Sequence, residues 1–305
     1  MVKIQDLNII FAGCAKNCEK YLPKVLENIS YYSKIFKKTS KIIVENGSTD
    51  KTKDILFQIK NDDNAILFRD EFNQIKQRTI RLSSARNLII DEIKSSDEFK
   101  NFDLLILLDL DDRALFQIEN QNLIKAINFL YSSEKIAAVF ANQPNQYYDV
   151  WALLDDLYCK NDFWSESLKY TLMKLNSDES ITFEILKDLK TNFLDKTKIF
   201  FHQDDEPYKV HSAFGGFGIY KIKDILKNKK KYVGEQYFPI KFKDGTKKNV
   251  HYQKSEHVNF NLGLKEMGYE LYILPYLINS KPNISNYKPE AAFQFIINKN
   301  EILNL

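Results

Sequence analysis

The chain has 305 residues, 44% of them hydrophobic, which suffices for the core of one large α/β domain or of a domain with a helical insertion. Its 44 Lys and Arg residues against 41 Asp and Glu residues give a net charge of +3. This balance argues against a nucleic-acid-binding protein, which is usually strongly basic. Cys14, Cys18 and Cys159 form no CxxC pair, so neither a disulfide framework nor a zinc site is predicted.

Five short apolar runs predict strands in the first half of the chain. In order, they are LNIIFAG, KIIVEN, AILFRD, LLILLD and KIAAVFAN. Amphipathic segments with helical spacing lie between them, at Cys18–Phe36, Lys51–Lys60, Ser84–Lys94 and Gln121–Ser132. This alternation predicts a mostly parallel sheet with helices on its faces, in which ligands bind at the carboxyl ends of the strands.

The pattern changes in the second half of the chain. From about Trp151 to Lys198 the sequence is polar and mostly helical, and we expect an insertion or lid that shapes a second substrate site. Then come VHSAFGGFGIYKI, from Val210 to Ile222, and SEHVNFNLGLKEMGYELYILP, from Ser255 to Pro275. The latter predicts a helix that stops at Gly268 and is followed by a strand.

The segment LNIIFAG is too short for a signal peptide or a membrane span, and no other run reaches the about 18 apolar residues of a membrane helix. We therefore expect a cytoplasmic protein whose membrane contact is at most peripheral. Two lysine groups, within Lys34–Lys41 and Lys227–Lys231, are candidates for contact with an anionic membrane surface. The alternative is that both groups are solvated faces.

The strand LLILLD leads into three acids, Asp109, Asp111 and Asp112. The apolar run before them indicates a strand buried on both faces, so the repulsion between these acids needs an offsetting group. Asp109 and Asp111 suit a Mn²⁺ or Mg²⁺ ion, which takes oxygen ligands and completes its shell with substrate phosphates. The alternative is an Asp-rich turn that caps the following helix.

Two further motifs lie at the same predicted edge of the sheet. IIVENGSTDKT, from Ile42 to Thr52, supplies an acid, an amide, a glycine turn and a helix start. LSSARNLII, from Leu82 to Ile90, opens a helix with Ser83 or Ser84 as its cap and Arg86 in its first turn. Together with the Asp-x-Asp strand, these motifs resemble the VDDGSTD loop, the ARN helix and the Asp-x-Asp strand of nucleotide-sugar glycosyltransferases of the GT-A fold.

The resemblance continues to about residue 275. SEHVNFNLGLKEMGYELYILP is similar to the GED…L…L…GY helix of family 2 glycosyltransferases, where the acidic pair includes the catalytic base. YYDVWALLDD, from Tyr147 to Asp156, and SAFGGFGIY, from Ser212 to Tyr220, are closer to blocks of the fungal capsule-associated, cryptococcal-type mannosyltransferases.

The resemblance implies a metal-dependent glycosyltransferase, expected to be a hexosyltransferase, that uses Mn²⁺ or Mg²⁺. Such an enzyme moves a sugar from a nucleotide-diphosphate sugar to a glycan or lipid-linked saccharide, in surface polysaccharide or glycoconjugate synthesis. By position, donor binding is implied for Glu45, Asn46, Arg86, Asp109, Tyr148, Asp149, Trp151, Gly215 and Gly216, and metal binding for Asp109, Asp111 and His257. A surface salt bridge is the alternative role for Arg86, and core packing is the alternative for Trp151.

Glu256 and His257 are implied as the catalytic pair, where family 2 enzymes have Glu-Asp. We favour Glu256 as the base, with a pKa raised by partial burial, and His257 near the metal. The reverse assignment makes His257 the base, because its ordinary pKa of about 6.5 suits proton abstraction near neutral pH. A third alternative makes both residues part of a helix N-terminal cap.

We expect one unit in three parts. Residues 1–150 form the nucleotide-sugar-binding half, residues 151–205 the helical insertion or lid, and residues 206–305 the acceptor-binding and catalytic half with a C-terminal tail. A nucleotide-sugar-forming nucleotidyltransferase stays an alternative, although FAGCAKNCEKYLP lacks its Gly- and Arg-rich phosphate loop. A noncatalytic sugar-binding module is the other alternative, and it would have little need for a metal site.

Overall fold

The computed structural model describes residues 2–61, 63–144, 146–167, 199–241 and 247–280. Its first half alternates strands and helices, as predicted. The elements are β1 (Asn8–Ala15), α1 (Leu22–Ser33), β2 (Lys38–Glu45), α2 (Thr52–Gln58), β3 (Asn64–Phe68), α3 (Arg78–Ser95), β4 (Leu104–Leu108), α4 (Asn120–Leu130) and β5 (Ile136–Asn142). The second half contributes β6 (Tyr208–Val210), β7 (Phe217–Lys221), α5 (Ile222–Ile225), β8 (Glu235–Lys241), β9 (Lys247–Gln253), α6 (Glu256–Glu266) and β10 (Glu270–Ile278).

Eight strands form one sheet in the order β3-β2-β1-β4-β7-β5-β10-β6. β3, β2, β1 and β4 are parallel neighbours, and so are β5 and β10. β7 is antiparallel to both of its neighbours, and β6 is antiparallel to β10. The sheet is therefore mixed but mostly parallel, as predicted.

The core lies on both faces of this sheet, because successive side chains of a strand point to opposite faces. In β1, Ile10 and Ala12 join one buried cluster, while Ile9 and Phe11 join the other. β4, β5 and β7 are buried along their whole length. Burial on both faces explains why β4 is a continuous apolar run, and β5 nearly one, instead of an alternating pattern.

The start of α3 differs from the sequence prediction. The helix begins at Arg78, so the predicted cap at Ser83 or Ser84 is wrong. Both serines lie inside the helix, where their hydroxyls donate to the Ile80 carbonyl at 2.8 and 3.0 Å. Serine can satisfy its hydroxyl on the preceding turn in this way, so its presence does not mark a helix start. Arg86 consequently lies in the third turn, not the first, and is buried.

The predicted insertion is only partly described. Residues 163–167 are helical, and Leu154 forms an isolated bridge with Ser212. The prediction for residues 168–198 lies outside the described residues. Within the described ranges, no helix is both long enough and apolar enough to cross a membrane.

Candidate active site

A tight glycine turn lies against the first acid of the Asp-x-Asp motif. The Asp109 amide donates to the Gly216 carbonyl at 3.0 Å. Gly215 and Gly216 have φ angles of 65° and 79°, in the left-handed region that favours glycine. A Cβ on Gly216 would lie 2.8 Å from the Tyr148 hydroxyl and 3.3 Å from Asp109 Oδ2. The structure thus brings Tyr148, Gly216 and Asp109 together at the carboxyl edge of the sheet.

The two acids of this motif lie close enough to affect each other. Burial, with a smaller contribution from the Asp109 charge, raises the pKa of Asp111 to about 6. Asp111 Oδ1 also accepts from the Arg113 amide at 3.0 Å, so the capping role exists alongside any metal role. Two crowded carboxylates are a donor set that a hard divalent cation stabilises.

Within the described ranges, no three His, Cys, Asp or Glu side chains form a metal-binding group. Asp109 and Asp111 therefore match a cation such as Mg²⁺, which commonly binds one or two protein carboxylates. Substrate oxygens and water fill the rest of its coordination shell. His257 is not grouped with them into a three-residue site. Its predicted role as a metal ligand stays a prediction.

Arg86 joins the acidic loop to the start of α6. Its Nη2 lies 3.5 Å from Asp109 Oδ1, and its Nη1 contacts Glu256 Oε1. Arg86 and Glu256 are each 5% exposed, so this pair is buried. The alternative of a surface salt bridge for Arg86 is therefore wrong, because the guanidinium lies inside the protein.

His257 is enclosed by aromatic rings. Its imidazole stacks on Phe214, with ring centroids 4.0 Å apart and an interplanar angle of 21°. Tyr232 meets it edge-on at 5.6 Å. Burial, and then the charges of Arg86 and Arg78, lower the pKa of His257 well below its usual value. The imidazole is therefore neutral near pH 7, and neither ring nitrogen has a hydrogen-bond partner among the described residues.

Asp149 lies on the other side of the glycine turn. Its Oδ2 accepts from the Gly215 amide at 3.0 Å. Burial raises the pKa of Asp149 to about 7, although the Gly215 hydrogen bond opposes the shift. A carboxyl that ionises near neutral pH has the proton affinity that a general base needs.

The predicted nucleoside loop follows β2. Glu45 is fully buried, and its carboxylate accepts from the amides of Gly47 at 3.1 Å and Ser48 at 2.5 Å. Asn46 is also buried, and its Oδ1 has no hydrogen-bond partner in the described part of the chain. Lys16 Nζ donates to the Asn46 carbonyl at 3.2 Å. Glu45 thus holds the shape of the loop, and the roles of Glu45 and Asn46 in donor binding stay predictions.

Trp151 packs within an aromatic group near the insertion. Its ring centroid lies 5.0 Å from that of Phe163 and 4.6 Å from that of Trp164. Trp151 remains partly exposed, so packing and sugar contact are compatible. Its predicted place in the sugar pocket stays a prediction.

Several polar residues at the carboxyl edge of the sheet were not identified from the sequence. Gln143 Nε2 donates to the Gly215 carbonyl at 3.0 Å, and Asn279 Nδ2 donates to the same oxygen at 2.6 Å. The Arg113 guanidinium lies 4.6 Å from the Tyr148 ring centroid. Gln143 and Asn279 each come directly after a buried strand, β5 and β10, the same position that singled out Asp109.

Comparisons with known proteins concern the fold. No family model matches the chain, and no curated protein matches it by sequence. The structure is similar to the mannosyltransferase PcManGT from Pyrobaculum calidifontis, solved in complex with GDP-Man and Mn²⁺. The TM-score is 0.50 at 12% identity, covering 94% of this chain and 60% of that one. The chain has the GT-A fold.

Two other solved structures have lower TM-scores. Staphylococcus aureus TarS 1-349 gives 0.47 at 11% identity, covering 90% of this chain and 60% of that one. Glucosyl-3-phosphoglycerate synthase from Mycobacterium tuberculosis gives a TM-score of 0.42 at 11% identity, covering 94% of this chain and 75% of that one. This GT-A chain thus spans 60% of the length of the TarS and PcManGT chains. The finer resemblance to fungal capsule-associated mannosyltransferases stays a prediction.

Proposed function

We propose that this protein is a metal-dependent glycosyltransferase that moves a sugar, specifically a hexose, from a nucleotide-diphosphate sugar to a glycan or lipid-linked saccharide. The observation that carries the proposal is the pair of carboxylates, Asp109 and Asp111, at the carboxyl edge of a GT-A sheet. The similar PcManGT structure holds GDP-Man and Mn²⁺, a donor and a metal of the proposed classes. A role in surface polysaccharide or glycoconjugate synthesis rests on the sequence resemblance.

Asp109 and Asp111 would hold the Mn²⁺ or Mg²⁺ ion, because their crowded carboxylates match its preference for charged oxygen ligands. When bound, the ion supplies Lewis-acid stabilisation of the diphosphate leaving group. The Gly215–Gly216 turn packs so closely against Tyr148 and Asp109 that a Cβ on Gly216 would clash with the Tyr148 hydroxyl. Tyr148 borders this turn beside the metal motif, so we assign it to the donor sugar.

The sequence resemblance implies Glu256 or His257 as the base that takes the acceptor proton, and the geometry favours a different residue. Glu256 Oε1 is engaged by Arg86, so this oxygen is not directed at a substrate hydroxyl. His257 is buried, stacked on Phe214 and met edge-on by Tyr232. Asp149 combines partial exposure with a pKa near 7, and we therefore propose Asp149 as the general base.

The two lysine groups give little support to membrane contact. Lys38 Nζ lies 2.6 Å from Glu98 Oε1, and Lys231 Nζ lies 3.9 Å from Asp91 Oδ2. These neighbouring acids reduce the net positive charge that an anionic surface would attract. Peripheral membrane contact therefore stays a prediction from the sequence and is not part of the proposed mechanism.

The metal site is tested by Asp111→Asn, with Asp112→Asn as the matched control on the exposed neighbour. Asp111→Asn should lower sugar transfer by about 10²-fold or more, because the metal contributes several kcal/mol to the transition state. The fold should survive, since the amide has the same shape. Asp112→Asn should keep its activity. Normal transfer by Asp111→Asn, or by the wild type in EDTA, would contradict the proposal.

Ligand binding separates the alternatives. A panel of nucleoside diphosphates with Mn²⁺ should raise the melting temperature of the wild type, because a ligand that binds only the folded state stabilises it. A sugar-binding module would respond to free saccharide and not to nucleotide with Mn²⁺. A nucleotidyltransferase would release pyrophosphate from a nucleoside triphosphate and a sugar phosphate, and that release can be measured directly.

A further inference from the structure

Arg86 is the only described residue that contacts both an acid of the metal motif and an acid of α6, and the contacts are asymmetric. The Asp109 carboxylate is 3.5 Å away and partly exposed, with its side chain 24% accessible. The Glu256 carboxylate is in direct contact and only 7% accessible. Arg86 therefore has a buried, directly contacting partner in Glu256 and a more distant, more exposed partner in Asp109.

The remaining side of the guanidinium is closed by an aromatic column. Arg86 Cζ lies 5.1 Å from the centroid of the Phe214 ring, which in turn stacks on His257. Tyr232 follows edge-on, and its ring stacks on Phe260 at 4.3 Å. A planar guanidinium held between a carboxylate and a ring cannot rotate freely, so its second nitrogen points at Asp109 in a fixed direction.

The contact with Arg86 gives Glu256, the buried first residue of α6, a structural role that requires no contact with a substrate. A general base must reach the proton that it takes, within hydrogen-bond distance or through one water. The Glu256 oxygen that contacts Arg86 is committed to the cation, and the side chain as a whole is buried. Removal of Glu256 would free Arg86 to move toward Asp109 or away from it.

We propose that Arg86 and Glu256 form a positioning pair that fixes the Asp109 carboxylate for metal binding, and that Glu256 acts on the reaction only through Arg86. This inference rests on the proposed function, since it assumes that Asp109 binds a divalent cation. It assigns Arg86 as the group that orients a metal ligand and Glu256 as the counter-ion that holds Arg86.

The test is a double-mutant cycle read by Mn²⁺ binding alone, with free Mn²⁺ followed by electron paramagnetic resonance. Arg86→Met and Glu256→Gln should each weaken Mn²⁺ binding by about 10- to 100-fold, the range for losing a partner of a metal ligand. Because Glu256 acts through Arg86, Glu256→Gln should add nothing further in the Arg86→Met background. If Arg86→Met does not fold, Arg86→Lys takes its place in the cycle. Lysine keeps the positive charge but lacks the two guanidinium nitrogens that contact Glu256 and Asp109.

Two matched controls lie on the same helices. Lys94→Met removes a cation of α3 that donates to the Asn228 carbonyl, and Glu266→Gln removes an acid of α6 that pairs with Lys230. Both controls should keep the Mn²⁺ affinity of the wild type. Transfer is measured in parallel over a Mn²⁺ titration, where Glu256→Gln should raise the Mn²⁺ concentration for half-maximal rate by the same factor as it weakens Mn²⁺ binding.

The outcomes separate this inference from the proposed function. If Glu256→Gln binds Mn²⁺ normally but loses about 10²-fold in kcat at saturating metal, Glu256 is the base and the positioning pair is wrong. Additive losses of Mn²⁺ affinity in the double variant would also overturn the pair. If the wild type binds no Mn²⁺, the metal site of the proposed function fails, and this inference fails with it.

Discussion

The ionisation of Asp149 should make the stability of the folded protein depend on pH. Burial raises its pKa from the ordinary 3.8 to about 7. Between these two values the folded protein keeps a proton that the unfolded chain has released, so the stability contributed by this group is lost as pH rises through that window. Above the upper value, the full cost of removing the ionised carboxylate from water is present.

Asp149→Asn should therefore melt at a higher temperature than the wild type, with a gap that grows from pH 4 to 7 and then stays constant. The amide oxygen still accepts from Gly215, so the turn is kept. Asp156→Asn is the control, because a hydrogen bond from His211 lowers the pKa of that exposed acid. Its effect should have the opposite sign. A gap for Asp149→Asn that does not change with pH would contradict the assignment.

At the residue scale, the sequence was informative where charged residues directly follow a buried strand. Asp109 and Asp111 could be picked out because acids directly after a buried apolar run are unusual. The contact between Arg86 and Glu256 could not be predicted, because it joins helices that are distant in the chain and adjacent only in the fold. Glu45 has the predicted residue type for a ligand contact, but the backbone amides of Gly47 and Ser48 occupy its carboxylate.

At the element scale, the glycine turn before β7 determines how closely the second half of the chain approaches Asp109. Gly216 and Gly268 both have positive φ angles, of 79° and 88°. A Cβ on Gly216 would press on Tyr148 and Asp109, whereas a Cβ on Gly268 has nothing within 4 Å. Substituting Gly268 therefore tests backbone strain alone, whereas substituting Gly216 tests backbone strain together with crowding of Tyr148 and Asp109.

Gly268→Ala should lower the free energy of unfolding by about 1–2 kcal/mol, the cost of a left-handed non-glycine residue, and leave transfer unchanged. Gly216→Ala should lose a similar amount of stability and, in addition, lose Mn²⁺ affinity and transfer. Denaturant unfolding and Mn²⁺ titration of both variants measure the two effects separately. Equal activity in the two variants would show that the close packing of Gly216 against Tyr148 and Asp109 does not matter to the site.

The elements themselves were predictable to different degrees. The five strands of the first half stand out as apolar runs, and the helix that ends before Gly268 was correctly predicted. The position of β7 was not predicted, since the sequence FGIYK indicates a buried strand but carries no information on its partners. The start of α3 was misplaced because Arg78 has no side-chain cap before it that would mark the helix start.

At the scale of the whole molecule, β7 makes the sheet a single unit. It pairs with β4 on one side and with β5 on the other, so a strand from the second half of the chain completes the sheet of the first half. The division of roles predicted at residue 150 stays a prediction. It does not mark a boundary at which the protein can be cut.

A fragment of residues 1–150 should fail to fold on its own. Without β7, the fully buried strands β4 and β5 would each present an unpaired apolar edge, which favours aggregation. In the intact protein, the amides of β4, β5 and β7 should exchange with deuterium through the same global unfolding event, because opening one strand exposes both of its neighbours. The measurement is hydrogen exchange on the full chain, with the solubility and amide dispersion of the fragment as the second readout. A monomeric, well-dispersed fragment, or exchange in β7 that is much faster than in β4, would mean that the first half holds its sheet without β7.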